Sequence, residues 1–187
     1  DSLNEKMFVG GNFTQVEDVV CSNIVWKDSL GWHEFGTGTT GAIYAMKYVN
    51  ERLYVGGYLT SIDGVTVNRI CYWDSTGWHD MDGGVPGVVN SIEYYDSALY
   101  VSGTFVQAGG ITVNGIAKWD GQSWSSTGTG SNFSNVYLQV LDTLLYAYGP
   151  FTNINGVATK NIAAFDGINW SSRSLISQNL FINNITL

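Results

Sequence analysis

Oxygen-bearing side chains recur at one place along this chain, and chemistry is first sought there. Glu17 and Asp18, then Asp63, then Asn155 occupy matching positions in turn-like stretches, with Gly109 standing there once. Carboxylates and an amide gathered in this way suit a hard cation such as Ca2+, or the hydroxyls of a sugar. Clustered carboxylates repel one another, so a bound cation would relieve an empty site and raise the melting temperature. This set is the candidate ligand site.

The remaining chemistry-bearing residues point elsewhere. His33 and His79 each follow a tryptophan, where Ser125 and Ser171 stand later in the chain. On separate outer strands the two histidines cannot converge as copper or zinc ligands must. Asp28, Asp74, Asp120 and Asp166 also match, but Asp120-Gly121 and Asp166-Gly167 are hairpin-turn dipeptides whose Asp caps its own turn. The sequence contains no G-x-S-x-G and no phosphate loop. The reading is therefore of a protein that is not an enzyme.

These positions match because the chain repeats. MFVGGNFT at Met7, LYVGGYLT at Leu53, LYVSGTFV at Leu99 and LYAYGPFT at Leu145 start 46 residues apart, and Trp32, Trp78, Trp124 and Trp170 keep that interval. A period of this size built from short alternating runs and glycine turns is a propeller signature, not that of a helical solenoid. Within the second unit, strands are expected at Ile43 to Val49, Leu53 to Tyr58, Arg69 to Trp73 and Gly77 to Met81. The fold class is all-β: a single β-propeller domain over 1–187 with four four-stranded blades, its repeats running 7–52, 53–98, 99–144 and 145–187. The stretches from Thr14 to Ser22 and from Gly36 to Ala42, with their copies, are expected to be loops on one face. The recurrent tryptophans and Gly11, Gly57, Gly103 and Gly149 read as inter-blade packing, a ring over bare backbone.

The two ends complement each other. Residues 3–7 match the turn at 49–53, so the first strand of the first blade is missing, while 179–187 (NLFINNITL) reads as a first strand without a successor. The C-terminal strand is expected to pair with the first blade and close the ring, which would protect the sheet edges. The same arithmetic fits a slice of a longer array, and the fourth unit breaks the pattern with Ser174-Leu175-Ile176 where the others read Gly36-Thr37-Gly38, Asp82-Gly83-Gly84 and Gly128-Thr129-Gly130.

Composition narrows the partners. At 44% hydrophobic and 14% aromatic the chain can build a core, which excludes disorder. Its net charge of −8, without a Lys/Arg cluster, argues against nucleic acid. No apolar run reaches membrane-span length. Cys21 and Cys71 lie at non-equivalent positions on different blades and read as free, buried thiols. The sequons at Asn12, Asn132, Asn169 and Asn184 read as incidental, since Asn12 and Asn184 fall in expected strands.

The motif LYVGG-x-[FL]-T, then a GV pair, then NI-A-x-WDG and a Trp, strongest in Leu99 to Trp124 and Leu145 to Trp170, resembles the repeat of bacterial secreted and cell-surface propellers. It is similar also to that of the fungal cortical cell-polarity markers, and both are relatives of kelch and galactose-oxidase-type propellers. The resemblance covers essentially the whole chain. It implies a propeller fold, an extracellular or cell-surface location, and a binding or scaffold role toward a protein or carbohydrate through the loop face. Its alternatives are the platform of a larger secreted enzyme, with galactose-oxidase-like metal chemistry, or an architectural segment of a longer repeat protein. Trp26-Lys27-Asp28 departs from the Trp-Asp pattern by one residue, which predicts a bulge or a re-aimed Trp26.

Overall fold

A computed structural model describes residues 6–173. Among them are one three-stranded and three four-stranded antiparallel sheets, each a blade, and no helix. The second blade is made of Ile43–Val49, Arg52–Gly57, Ile70–Asp74 and Gly77–Asp80, joined in sequence order as a meander. The third runs Val89–Tyr95, Ala98–Gly103, Ile116–Trp119 and Trp124–Ser126; the fourth, Tyr137–Leu141, Leu144–Tyr148, Ile162–Phe165 and Trp170–Ser172. Among the described residues the first blade has three strands, Met7–Gly10, Ile24–Asp28 and Gly31–Glu34, which correspond to the second, third and fourth strands of the other blades. The closing strand expected at 179–187 lies outside the described residues.

Strand alternation explains where the core sits. Along Ile70–Asp74, Ile70 packs toward the third blade and Cys71 toward the first, so each blade buries both faces. The described core is accordingly a series of inter-blade clusters. Ile24 and Phe35 meet Leu53, Val55 and Trp78; Tyr54 and Met81 meet Val101, Trp119 and Trp124; Tyr100 and Ile116 meet Leu145, Phe151 and Trp170. Trp124, of which 7% is exposed, is a core residue as its recurrence implies.

Two details differ from the sequence reading. The stretches expected as loops between second and third strands each carry a two-residue hairpin, among them Ser61–Ile62 with Val65–Thr66 and Asn153–Ile154 with Val157–Ala158. Two-residue strands are too short for alternation to reveal. The recurrent glycines also serve another purpose: a Cβ on Gly57, Gly103 or Gly149 would come within 2.2, 1.9 or 2.3 Å of the carbonyl oxygen of Ala42, Val88 or Asn135. They admit backbone of their own blade, not a neighbouring ring. The inter-blade glycines stand one residue earlier, where a Cβ on Gly56 would strike Val89 of the third blade and one on Gly10 would strike Met46 and Ile43 of the second.

Trp26 is re-aimed, and its hairpin has no bulge. Phe8 pairs with Trp26 and Trp26 with His33, the register in which Tyr54 pairs with Tyr72 and Tyr72 with His79. Trp26 thus takes the tyrosine's place and Lys27 the tryptophan's, with Lys27 Nζ over the Trp32 ring at 5.0 Å.

Candidate functional site

The oxygen-rich positions are hairpin tips. Asp63 and Gly64 have φ of 46° and 78°, Gly109 and Gly110 52° and 82°, Asn155 and Gly156 56° and 82°, the two positive angles of a type I′ turn. Glu17, at 49°, opens the equivalent turn, and Glu17 and Asp18 are both exposed. Local turn chemistry therefore accounts for Asp-Gly, Gly-Gly and Asn-Gly at this place.

Their side chains are used between blades. Asp63 Oδ1 accepts the Thr37 amide hydrogen at 2.9 Å, and the Asp63 amide donates to Gly38 O at 2.9 Å. Asn155 reaches the third blade in the same manner, donating from Nδ2 to Thr127 O at 2.8 Å and accepting from the Gly130 amide at 3.3 Å. Each contact faces a glycine: a Cβ on Gly36 would lie 2.3 Å from the Asp63 carboxyl, and one on Gly128 2.0 Å from the Asn155 amide oxygen. At the middle junction the roles reverse, with Asp82 in place of that glycine and Gly109 at the tip. One side chain per junction fits. Asp63 and Asn155 are each drawn to the preceding blade, and among the described residues no three His, Cys, Asp or Glu side chains form a group able to hold a metal ion. The structure thus does not bring Glu17, Asp18, Asp63 and Asn155 together around one ligand.

The turn aspartates cap their hairpins, as the Asp-Gly dipeptides imply. Asp28 accepts from the Leu30 amide, Asp74 from Thr76, Asp120 from Gln122 and Ser123, and Asp166 from Ile168 and Asn169. These hydrogen bonds favour the ionised form. Asp74 is held down to about 2, chiefly by the Thr76 hydroxyl and amide, and Asp28 is lowered first by His33. His33 and His79 are spent on the same carboxylates, at 2.9 and 3.0 Å, and stack on Trp26 and Tyr72. Cys71 is buried and its thiol is pushed far up by desolvation, whereas Cys21 is half-exposed, in contrast to the burial its sequence position suggested. Asn12 lies in a bend and not in a strand, and the Asn132 amide is engaged with Thr152 and Asn153.

Open space is found at the hairpin-loop end, where a shallow cleft of about 320 Å³ is lined by Phe105, Asn114, Ser131 and Phe133, and at the other end of the blades, where the tight turns lie. Between the first and second blades a cleft of about 290 Å³ is lined by Lys6, Phe8, Tyr48 and Trp73, with Glu51 at its rim. Between the second and third a cleft of about 300 Å³ is lined by Arg52, Tyr54, Tyr94 and Trp119, with Asp120 at its rim. Aromatic walls with a few charged groups at the mouth are the usual make-up of a small-molecule or side-chain site. No sequence signal separated these aromatics from core residues: Tyr54 and Trp119 are buried, Phe8, Trp73 and Tyr94 are half-buried, and Tyr48 is exposed.

Four repeats, a sheet per repeat and cores between successive sheets define a propeller, and a family model places it among known ones. The model of the Rax2 C-terminal beta propeller domain matches residues 2–184. The chain belongs to that family. Of the two resemblances read from the repeat, the match supports the fungal cortical-marker propellers. No curated protein matches the sequence significantly. In this propeller the family's repeat thus supplies framework: tips, caps and ring packing. No described helix is long and apolar enough to cross a membrane.

Proposed function

We propose that this propeller is a non-enzymatic binding and scaffold module, displayed outside the cell or at its surface, that recognises a protein or a glycan. The observation that carries the reading is the pair of aromatic-walled clefts at successive blade junctions, each with a cation and a carboxylate at its mouth. Rigid blades hold these groups at fixed spacing, which limits the ordering cost of binding. Binding is assigned to the turn-bearing end, where aromatic walls and charged groups meet, while at the hairpin tips Asp63 and Asn155 are already committed to the preceding blade. A protein-side prediction follows from the net charge of −8, which favours a basic or neutral partner surface.

The test compares wild type with a Lys6→Ala, Arg52→Ala double variant for capture of cell-surface proteins and for binding on a glycan array. The proposal expects retained folding with weakened capture of the same partner. Measurable turnover of a substrate, or capture untouched by the double variant, would count against it.

A further inference from the structure

The two clefts are one feature seen twice. Lys6, Phe8, Tyr48 and Trp73 each stand 46 residues before Arg52, Tyr54, Tyr94 and Trp119. At the next junction the corresponding residues are Ala98, Tyr100, Val140 and Phe165, and there the space has an occupant. Tyr95 lays its ring 5.9 Å from that of Tyr100 and 6.3 Å from that of Phe165, in edge-to-face contact with both. Its hydroxyl donates to Thr143 O at 3.0 Å, and a Cβ on Gly167 would lie 3.9 Å from the Tyr95 hydroxyl oxygen. Tyr100, Phe165, Thr143 and Gly167 are the repeat counterparts of Tyr54, Trp119, Ser97 and Gly121, which line the second cleft.

The residue equivalent to Tyr95 at the second junction is Val49, half-buried against the core there. Val49 brings no ring to that place, and at this junction a cleft remains beside Tyr54, Ser97, Trp119 and Gly121, with Arg52 and Tyr94 where the third junction has Ala98 and Val140. Building on the binding role proposed above, we propose that the cleft between the second and third blades binds a phenol ring, delivered as a tyrosine side chain of a partner polypeptide. The volume suffices: about 150 Å³ of apolar cavity holds benzene, and this cleft measures about 300 Å³. The walls repeat the contacts Tyr95 makes, with Tyr54 and Trp119 standing for Tyr100 and Phe165. At the mouth, Arg52 offers a donor and Asp120 an acceptor to a phenolic hydroxyl, where the third junction has Ala98 and uses a backbone carbonyl. Arg52 already lies over the Tyr72 ring at 4.8 Å, so its guanidinium is held at this edge.

The intact chain is titrated with p-cresol, N-acetyltyrosinamide, N-acetylphenylalaninamide and methyl glucoside, followed by the indole N–H resonance of Trp119. Saturable shifts with the two phenols are expected, with the phenylalanine amide about five-fold weaker for want of one hydrogen bond. Val49→Tyr, which supplies the ring from within, should weaken cresol binding at least ten-fold while the melting temperature holds or rises. Arg52→Ala keeps the fold and should erase the preference for tyrosinamide over phenylalaninamide, so the proposal stays testable if Val49→Tyr fails to fold. Cresol binding that is absent, or unaltered in Val49→Tyr, overturns the assignment, as does methyl glucoside binding more tightly than cresol. If cresol fails while wild type still captures a partner that the Lys6→Ala, Arg52→Ala variant loses, the phenol assignment falls and the broader binding role stands.

Discussion

The indole nitrogen of Trp124 donates to the carbonyl oxygen of Met81 at 2.7 Å, tying the outer strand of the third blade to the loop that leaves the second. One repeat later the equivalent carbonyl, that of Thr127, is taken by Asn155 Nδ2, and the Trp170 indole nitrogen is buried with no hydrogen-bond partner among the described residues. At that junction the tip residue takes the acceptor that the tryptophan uses one repeat earlier. Where the tip is Gly109 the ring wins, since a Cβ there would sit 2.6 Å from Trp124 Cδ1.

Trp124→Ala removes a buried ring and its hydrogen bond to the Met81 carbonyl, which keeps only the Gly84 amide at 3.0 Å, so chemical denaturation should show a loss of about 3–5 kcal/mol. His79→Ala, which gives up a half-exposed contact to Asp74 and a stack on Tyr72, should cost less than about 1 kcal/mol. The opposite ranking would refute the assignment of the recurrent tryptophans to the core.

The junction rule of one side chain per pair predicts coupling. Gly36→Asp places a second side chain against Asp63 and should destabilise by about 1–3 kcal/mol. Adding Asp63→Gly reproduces the Asp82 and Gly109 arrangement of the middle junction and should recover part of that loss. A double-mutant cycle with coupling below about 0.5 kcal/mol would show the two positions to be independent.

Calcium separates the convergent site expected from sequence from the inter-blade clamps seen in the structure. Because Asp63 Oδ1 accepts from the Thr37 amide of the preceding blade, wild type should melt at the same temperature in millimolar calcium and in chelator. Asp63→Ala should lower stability by about 1 kcal/mol equally in both buffers. A calcium-dependent rise in wild type that Asp63→Ala abolishes would restore the cation site.

Acid should loosen the hairpin turns. Asp74, Asp120 and Asp166 are held below the usual carboxylate range by turn hydrogen bonds, and Asp28 first by His33 and then by its turn, so their contribution is complete above the unfolded value of about 4 and is lost as pH falls toward the folded one. For Asp74 the window runs down to about 2. Thermal melts between pH 5 and 2 should fall more steeply for wild type than for Asp74→Asn, and parallel curves would show that the carboxylate carries no linkage.

What the sequence determined by itself is what repetition and local chemistry write. Four copies at a fixed interval, alternating apolar runs, Asp-Gly turns and a tryptophan closing each unit are enough for the blades, their strands and the turn caps, because each depends on residues close in the chain. Tertiary structure decided everything that passes between blades. Asp63 reads as a free carboxylate until the neighbouring Thr37 amide is seen 2.9 Å away. Gly57 reads as a ring platform until the Ala42 carbonyl fills its space. Tyr95 and Val49 occupy the same repeat position, and only the packing of one junction against the next shows that the first fills a cleft which the second leaves open. Repetition fixes what each blade is; the side chains that differ between copies act across a junction, where spacing along the chain carries no information.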